Sequence, residues 1–210
     1  MGQKIHPIGF RLGISQDWQS RWYASKKDYS KNLLEDYMIR RFLNERLKLA
    51  GLVGVEIERL IHKMKIIIHV TRPGVVIGRG GSGLEDLKKN LLSRMSLSKS
   101  EKNIQIEVAE VKAPDLSAVL TAGRIAGELE RRLPHRRVVA RATERTMSAG
   151  AKGIRVVLSG RIAGAEIARR ETYNQGKLPL GRLRANIDFA KIPALTRSGY
   201  VGVKVWIYTE

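Results

Sequence analysis

Hydrophobic and polar positions follow two different periods along the first half of the chain, and each period predicts one kind of element. Apolar side chains recur at helical spacing between about residues 28 and 50, for example at Leu34, Met38 and Phe42. This spacing predicts an amphipathic helix that ends at Gly51. An alternating run over residues 53–60 and a β-branched run over residues 66–70 predict two strands, with the charged Lys63–Lys65 cluster as the turn between them.

The pattern changes again after Pro73. A short segment over residues 73–77 precedes a glycine cluster at residues 78–83, and then come a helix over residues 84–95 and an alternating strand over residues 104–111. A helix, two strands, a short helix, a glycine turn, a helix and a strand form one compact α/β module, and Pro114 marks its boundary.

The second half reads as two helices followed by strands. One apolar helical face extends from Leu116 to Leu133, and a second helix covers residues 136–149. The pattern then predicts strands over residues 154–159, 166–173, 183–189 and 201–208. In the last of them, the odd positions are aliphatic, whereas Lys204, Trp206 and Tyr208 face the other way. This order predicts a mostly antiparallel sheet with helices on one face.

The first residues show no lasting period and are rich in glycine, proline and basic residues, which indicates an extended basic arm. The predicted domains are therefore residues 1–16 (arm), 17–112 and 113–210. The fold class is α+β, a two-layer α/β domain followed by a second two-layer α/β domain.

The net charge of the chain indicates what kind of partner it binds. The 210 residues include 39 Lys+Arg and 20 Asp+Glu, which give a formal net charge of +19. Such an excess requires a polyanionic partner, because on its own it only repels itself. No apolar run approaches the ~20 residues of a spanning helix, so a membrane is disfavoured. The absence of cysteine excludes disulfides, cysteine-based zinc sites and thiol catalysis. Nucleic acid is the leading partner.

The glycine cluster allows three interpretations. Gly78 to Gly83 satisfies G-x-G-x-x-G, but a dinucleotide fingerprint requires its glycines directly after a strand. Gly78, Arg79, Gly80 and Gly81 alone form a GXXG turn between two helices, which lets a nucleic-acid strand approach the backbone. A plain flexible turn is the third interpretation, although one glycine would suffice for it. The element order favours the GXXG turn, the nucleotide clamp of a type II KH module.

Arginines form the second candidate site. They are concentrated around the second predicted helix of the C-terminal half, with few acidic residues between them, at Arg131, Arg132, Arg136, Arg137, Arg141 and Arg145. A solvated helix face would need intervening acids for i,i+4 pairs. Guanidinium groups suit phosphates, so RNA contact is favoured over a solvated face.

Other chemistry finds little support. The four histidines share no ligand spacing, which disfavours a metal site. Glu166, Glu171 and Asp188 are expected in salt bridges rather than as catalytic carboxylates, since arginines lie nearby in the sequence. The aromatic residues Trp18, Trp22 and Tyr23 either stack on a base or pack onto the first helix. We expect no catalytic residue, no metal and no cofactor.

Several long segments resemble the bacterial-type small-subunit ribosomal protein S-three family. They are MGQKIHPIGFRLGI at residues 1–14, RPGVVIG at 72–78, LERR at 129–132, GAKGI at 150–154, SGRIAGAEIAR at 159–169 and GYVGVKVWI at 199–207. The segments follow one another in order and cover essentially the whole chain.

The resemblance implies a type II KH domain, a C-terminal S-three domain and a place in the head of the cytoplasmic small ribosomal subunit. It implies rRNA contacts that include the arm residues Lys4, His6 and Arg11, with proteins S-ten and S-fourteen as neighbours. It also implies a share, with S-four and S-five, in the mRNA entrance channel, where mRNA is held and unwound. In that channel the six arginines would face mRNA, and Arg136 and Arg137 match the first two positions of the family's basic cluster.

Two positions depart from the family pattern. A Lys-Arg pair common in the family is Ala140-Arg141 here, and the interior of the GXXG turn is Arg79-Gly80 instead of two basic residues. Both changes weaken electrostatic contact with RNA. Two rival functions remain, a free KH-type regulator of mRNA and a nucleotide-dependent enzyme that uses the glycine cluster.

Overall fold

The computed structural model describes residues 4–60, 63–94 and 104–209. The chain divides into two compact units, one of residues Trp18–Lys112 and one that combines Met1–Asp17 with Ala113–Glu210. The first residues therefore group with the C-terminal half and do not form a separate arm. No helix within the described ranges is long and apolar enough to cross a membrane.

Unit 18–112 is a four-stranded sheet packed against helices. Its helices are α2 (Lys26–Arg46), α3 (Pro73–Ile77) and α4 (Ser82–Arg94), and its strands are β1 (Ser20–Arg21), β2 (Leu52–Leu60), β3 (Lys63–Val70) and β4 (Ile104–Glu110). The strand order is β1-β2-β3-β4. Strands β2 and β3 are antiparallel, whereas β4 runs parallel to β3, with Ile66 opposite Ile106.

Apolar side chains from both layers form the core of this unit. Ile39 and Leu43 of α2, Ile57 of β2 and Leu91 of α4 are buried together. Helix α2 ends in a one-turn 3-10 helix, Lys48–Ala50, followed by Gly51 with a φ of 69°, as the sequence predicted. The predicted end of α4 at Met95 lies outside the described residues.

The prediction of a turn at Lys63–Lys65 is wrong. These residues begin β3, where Lys63 pairs with Leu60 across the hairpin. Met64 is buried, and Lys65 forms a 2.9 Å ion pair with Glu107 of β4. The alternation of buried positions therefore begins two residues earlier than the β-branched run.

The other unit places helices on an antiparallel sheet. Its long helices are α5 (Ala118–Glu130) and α6 (His135–Ser148), and its strands are β5 (Gly153–Gly160), β6 (Arg169–Gly176), β7 (Ile187–Thr196) and β8 (Gly199–Tyr208). The strand order is β6-β5-β8-β7, and every neighbouring pair is antiparallel. Ala122 and Ile125 of α5 and Val139 of α6 pack against Val156 and Val203 of the sheet. The predicted α+β class, with both long helices on one face, is confirmed.

The extended arm needs correction. Residues Pro7–Arg11 form a short helix, α1, capped by the His6 side chain, whose Nδ1 accepts the Gly9 N–H at 3.2 Å. The Arg11 side chain is completely buried. Its guanidinium group donates hydrogen bonds of 2.8–3.0 Å to four carbonyl oxygens, those of Pro7, Leu180, Arg182 and Ala185. The segment is ordered by this chain itself, because Arg11 satisfies backbone groups of the 180–185 loop.

Two strands start later than predicted. Strand β6 begins at Arg169 instead of residue 166, and β7 begins at Ile187 instead of residue 183. The residues before β7 form a loop that packs Leu178 and Leu180 against Val157 and Trp206, on the sheet face opposite α5 and α6. The apolar residues of this loop serve a second small core and not a strand.

Candidate nucleic-acid interface

The glycine turn joins two helices that approach each other closely. A Cβ atom on Gly83 would lie 2.6 Å from the carbonyl oxygen of Val76, so the start of α4 can touch the end of α3 only because this position is glycine. At Gly80 and Gly81, with φ of 62° and 84°, a Cβ atom would meet nothing within 4 Å. The outer side of the turn is therefore open to a ligand.

The charge of this turn is modest. Arg79 is exposed, and the Ser82 hydroxyl donates to the Arg79 carbonyl at 3.0 Å, which closes the turn onto α4. The N-terminus of α4 favours anions, but Glu85 and Asp86 in its first turns oppose them. The backbone of the turn is thus accessible to a phosphate at Gly80 and Gly81, with little help from side chains.

The dinucleotide interpretation fails on position. Strands β3 and β4 are parallel, so a β-α-β unit does exist here. The glycines, however, follow α3 instead of the end of β3 at Val70. A dinucleotide fingerprint requires the first glycine at the strand end, where the pyrophosphate meets the helix N-terminus.

Helix α6 exposes its arginines because its opposite side is apolar. Val138, Val139 and Ala142 face the core, while Arg136, Arg137 and Arg145 are exposed. Ala140, one of the two positions at which the sequence departs from the family pattern that it resembles, is also exposed. The missing charge is therefore a surface charge.

The six predicted arginines lie on α6 and on the loop before it. Arg131 and Arg132 occupy that loop, and Arg132 has a left-handed backbone with a φ of 62°. Arg141 lies 3.9 Å from Glu128, and none of the other five forms an ion pair with a described residue. Most of this positive charge is therefore not neutralised within the described parts of the chain.

One carboxylate, that of Glu171, lies beside His135 at the start of α6. Glu171 of β6 accepts a 2.5 Å hydrogen bond from the Tyr173 hydroxyl and pairs with Arg169 Nε at 2.8 Å. The hydrogen bond from Tyr173, followed by the charges of His135 and Arg169, lowers the pKa of Glu171. His135 Nε2 lies 3.0 Å from Glu171. The salt-bridge role predicted for Glu171 is confirmed.

Asp188 differs from that prediction. Its carboxylate accepts the backbone N–H of Ala118, at 2.7 Å, and that of Phe189, at 2.8 Å, and forms no ion pair with a described residue. Ser117, at the N-cap position of α5, makes no side-chain cap, so Asp188 caps this helix from β7. Burial raises the pKa of Asp188.

The arm residues have unlike surroundings. Arg11 is buried and already bonded, so its guanidinium group is not available to RNA. His6 caps α1, and its ring meets the edge of Phe189 at 5.1 Å. Lys4 is exposed, and of the three it is the cation best placed to meet a phosphate.

The aromatic residues after the arm, Trp18, Trp22 and Tyr23, also differ in their surroundings. The Trp22 indole N–H donates to Asp36 at 2.8 Å, and Arg59 binds the other oxygen of the same carboxylate at 2.7 Å. Trp22 thus packs on α2, which supports the second of its two interpretations. Trp18 and Tyr23 are exposed, at 60% and 97%.

Sequence reasoning missed the cations on the sheet face opposite α5 and α6. Arg155, Arg170, Lys191 and Lys204 share this face by strand register. The alternation around Lys204 was a usable signal, but the predicted strand ended at residue 189, whereas β7 continues to Thr196, so Lys191 was left outside it. Among the described residues, no group of three His, Cys, Asp or Glu side chains could hold a metal ion.

Comparison with known proteins agrees with both units. A model of the KH domain matches residues 38–116, and a model of the ribosomal protein S3 C-terminal domain matches residues 125–207. Small ribosomal subunit protein uS3 of Caldicellulosiruptor saccharolyticus is 50% identical over 208 residues, which are 99% of this chain and 92% of that protein. The proteins of the same name from Persephonella marina (50% identical, 99% and 90% covered) and Clostridium perfringens (46%, 99% and 92%) are similar over the same length. The chain therefore belongs to the bacterial-type uS3 family of small-subunit ribosomal proteins and contains a KH domain.

Proposed function

We propose that this chain, a structural protein of the small ribosomal subunit, binds rRNA in the subunit head and lines the mRNA entrance channel, where it helps to hold and unwind incoming mRNA. The observation that carries the proposal is the arginine group on and before α6. Five of its six guanidinium groups lack an ion pair among the described residues, and four belong to a helix fixed by its apolar side.

The mechanism is charge neutralisation at fixed positions. Arginine binds phosphate oxygens through several N–H groups at once. Contacts of this kind hold the nucleic-acid backbone without reading its sequence. An mRNA strand is thus guided through the channel whatever codons it carries, and a duplex is disfavoured where one of its strands is held.

The KH unit contributes a second contact. The open backbone at Gly80 and Gly81 and the exposed Arg79 suit the backbone of a single strand or a loop of RNA. Because the turn carries one cation, we assign it a smaller share of the binding free energy than the arginine group.

The partners follow from the resemblance. We propose S-ten and S-fourteen as neighbours in the head, S-four and S-five as the other proteins of the entrance channel, and the cytoplasmic ribosome as the site of action. No step of this function requires catalysis, a cofactor, a small-molecule substrate or a metal.

The test replaces two exposed arginines of α6. Arg136→Ala combined with Arg137→Ala should slow translation of an mRNA with a stable hairpin several-fold and leave an unstructured mRNA nearly unaffected. The fold should survive, because both side chains project away from the apolar side of α6. Translation is measured with purified ribosomes, and subunit abundance by sedimentation.

A charge-conserving control separates the alternatives. Arg136→Lys with Arg137→Lys retains both positive charges, so it should recover most of the rate on the hairpin mRNA if neutralisation is the mechanism. Loss of assembled subunits in the alanine variant would show instead that these arginines are rRNA contacts.

A further inference from the structure

Acidic side chains of the C-terminal sheet lie on one face only, where Arg169 pairs with Glu171. The acidic residues of its four strands are Glu171 and Asp188, and strand register places both on the side of α5 and α6. The opposite side carries one cation from each strand, Arg170, Arg155, Lys204 and Lys191 in the order β6-β5-β8-β7. Together with Lys4, we name these five residues the outer cationic face.

Two lysines of this face oppose each other directly. Lys191 of β7 and Lys204 of β8 are register partners in the antiparallel ladder. Like charges at such positions destabilise a sheet. Neither lysine forms an ion pair with a described residue, so nothing within these parts of the chain offsets the repulsion.

Lys4 joins the other end of the face. Slight desolvation of the largely exposed Lys4 side chain, and then the charges of Arg155 and Arg170, lower the pKa of Lys4, so these three cations lie near one another. Arg155 Nε donates to the neutral Asn174 amide at 2.8 Å and not to a carboxylate. Here too, positive charges gather without a described acidic partner.

We propose that the outer cationic face binds phosphate groups of rRNA, as a contact separate from the GXXG turn and from the arginines of α6. Five cations that have no acidic neighbour on this face among the described residues complement a polyanion. Tyr200, exposed on the same face, adds an aromatic surface on which a base can stack. The inference deepens the proposed function, since RNA as the polyanion rests on it.

Lys191→Glu distinguishes binding from folding. It converts a like-charge pair into an opposite-charge pair across β7 and β8, so the melting temperature of the free protein should stay the same or rise. Its affinity for an rRNA fragment from the subunit head should nevertheless fall several-fold. A residue with a merely structural role would not separate these two measurements.

A paired variant measures the number of phosphates. Lys191→Ala with Lys204→Ala should reduce the slope of log K against log salt concentration by roughly 0.7 to 0.9 for each phosphate that is no longer neutralised. The matched control is Lys26→Ala with Lys27→Ala, which removes the same charge from the exposed start of α2 in the other unit. An equal reduction in the control would overturn the proposal, because general attraction would then explain both.

Two further outcomes distinguish failure of this inference from failure of the proposed function on which it rests. If the wild-type protein binds the fragment and the lysine variants bind as well as the wild type, the outer face is not a contact and the proposed function stands. If the wild-type protein itself does not bind rRNA, the proposed function fails.

Lysine acetylation identifies what covers the face in the assembled subunit. Lys191 and Lys204 should be protected in subunits and should become reactive after ribonuclease digestion. Protection that survives complete digestion of the RNA would show that a protein covers this surface, and would overturn the proposal.

Discussion

Arg11 is a basic residue that serves folding in a protein whose charge otherwise suits binding. Its guanidinium group is completely buried and donates to four backbone carbonyl oxygens. A buried carbonyl without a donor costs about 1–3 kcal/mol, so the side chain satisfies groups that the 180–185 loop cannot satisfy alone. The same positive charge that predicted an RNA contact is here used inside the molecule.

Arg11→Ala should lower the free energy of unfolding by about 2–4 kcal/mol, because it leaves several buried carbonyl oxygens without donors. Arg11→Lys should recover little, since one ammonium group cannot reach carbonyls that the planar guanidinium group spans. Urea denaturation of the free protein measures both changes, with Lys4→Ala as the exposed control. Unchanged stability together with weaker rRNA binding would restore Arg11 as an RNA contact.

The helix-turn-helix of the KH unit illustrates what one element demands of its glycines. Gly83 is required because α4 closely contacts the α3 carbonyls. Gly80 lies in open space, and only its positive φ favours glycine there. One glycine thus maintains the packing of two helices, and the other leaves room for a ligand.

These roles predict that a substitution at Gly83 affects stability, whereas a substitution at Gly80 affects RNA binding. Gly83→Ala should destabilise the unit, since its Cβ would lie 2.6 Å from the Val76 carbonyl oxygen, and the charge of the turn is unchanged. Gly80→Lys should cost only about 1–2 kcal/mol for the left-handed backbone and should tighten RNA binding several-fold. Thermal unfolding and RNA titration of both variants provide the comparison.

Gly80→Ala is the matched control for the added charge, because it carries the same backbone cost without the ammonium group. If both Gly80 variants bind RNA as the wild type does, the turn does not contact the RNA backbone.

At the scale of the whole molecule, the net charge of +19 acts on folding and on binding with opposite signs. Like charges in the free chain repel one another, and salt screens that repulsion. In the RNA complex, the same charges displace counterions from the phosphates, and salt opposes that displacement.

Added salt should therefore raise the melting temperature of the free protein while it weakens RNA binding. The logarithm of the binding constant should fall linearly with the logarithm of salt concentration, by roughly 0.7 to 0.9 per phosphate neutralised on a single strand or a duplex. Calorimetry and filter binding across one salt series give both quantities. A flat binding response would contradict phosphate neutralisation as the mechanism.

Most elements of both units were predictable from the sequence, because helices and strands that pack on a core have apolar residues at their own characteristic spacing. Helices α2, α5 and α6 end within a few residues of their predicted limits. The arginine helix was predictable for the same reason, since spacing alone puts arginines opposite an apolar stripe. Charged residues at strand ends misled the prediction at Lys63–Lys65, where burial of Met64 extends the strand.

By itself, the sequence determined the order of the long helices and of the strands from β2 to β8, the class of partner and the positions of the GXXG turn and the arginine helix, but not α1 or β1. All of the features that it determined depend on local spacing and summed charge. Tertiary structure decided whether each polar side chain is buried and which groups it binds. Arg11 bonds to carbonyls 169 to 174 residues away, and Asp188 caps a helix 70 residues before it. The outer cationic face likewise exists only through strand register. The physical reason is that periodicity depends on neighbours within one helical turn or one strand. The contacts of a buried charge, or of a cluster of charges, come from residues that are distant in the sequence and become neighbours only in the folded protein.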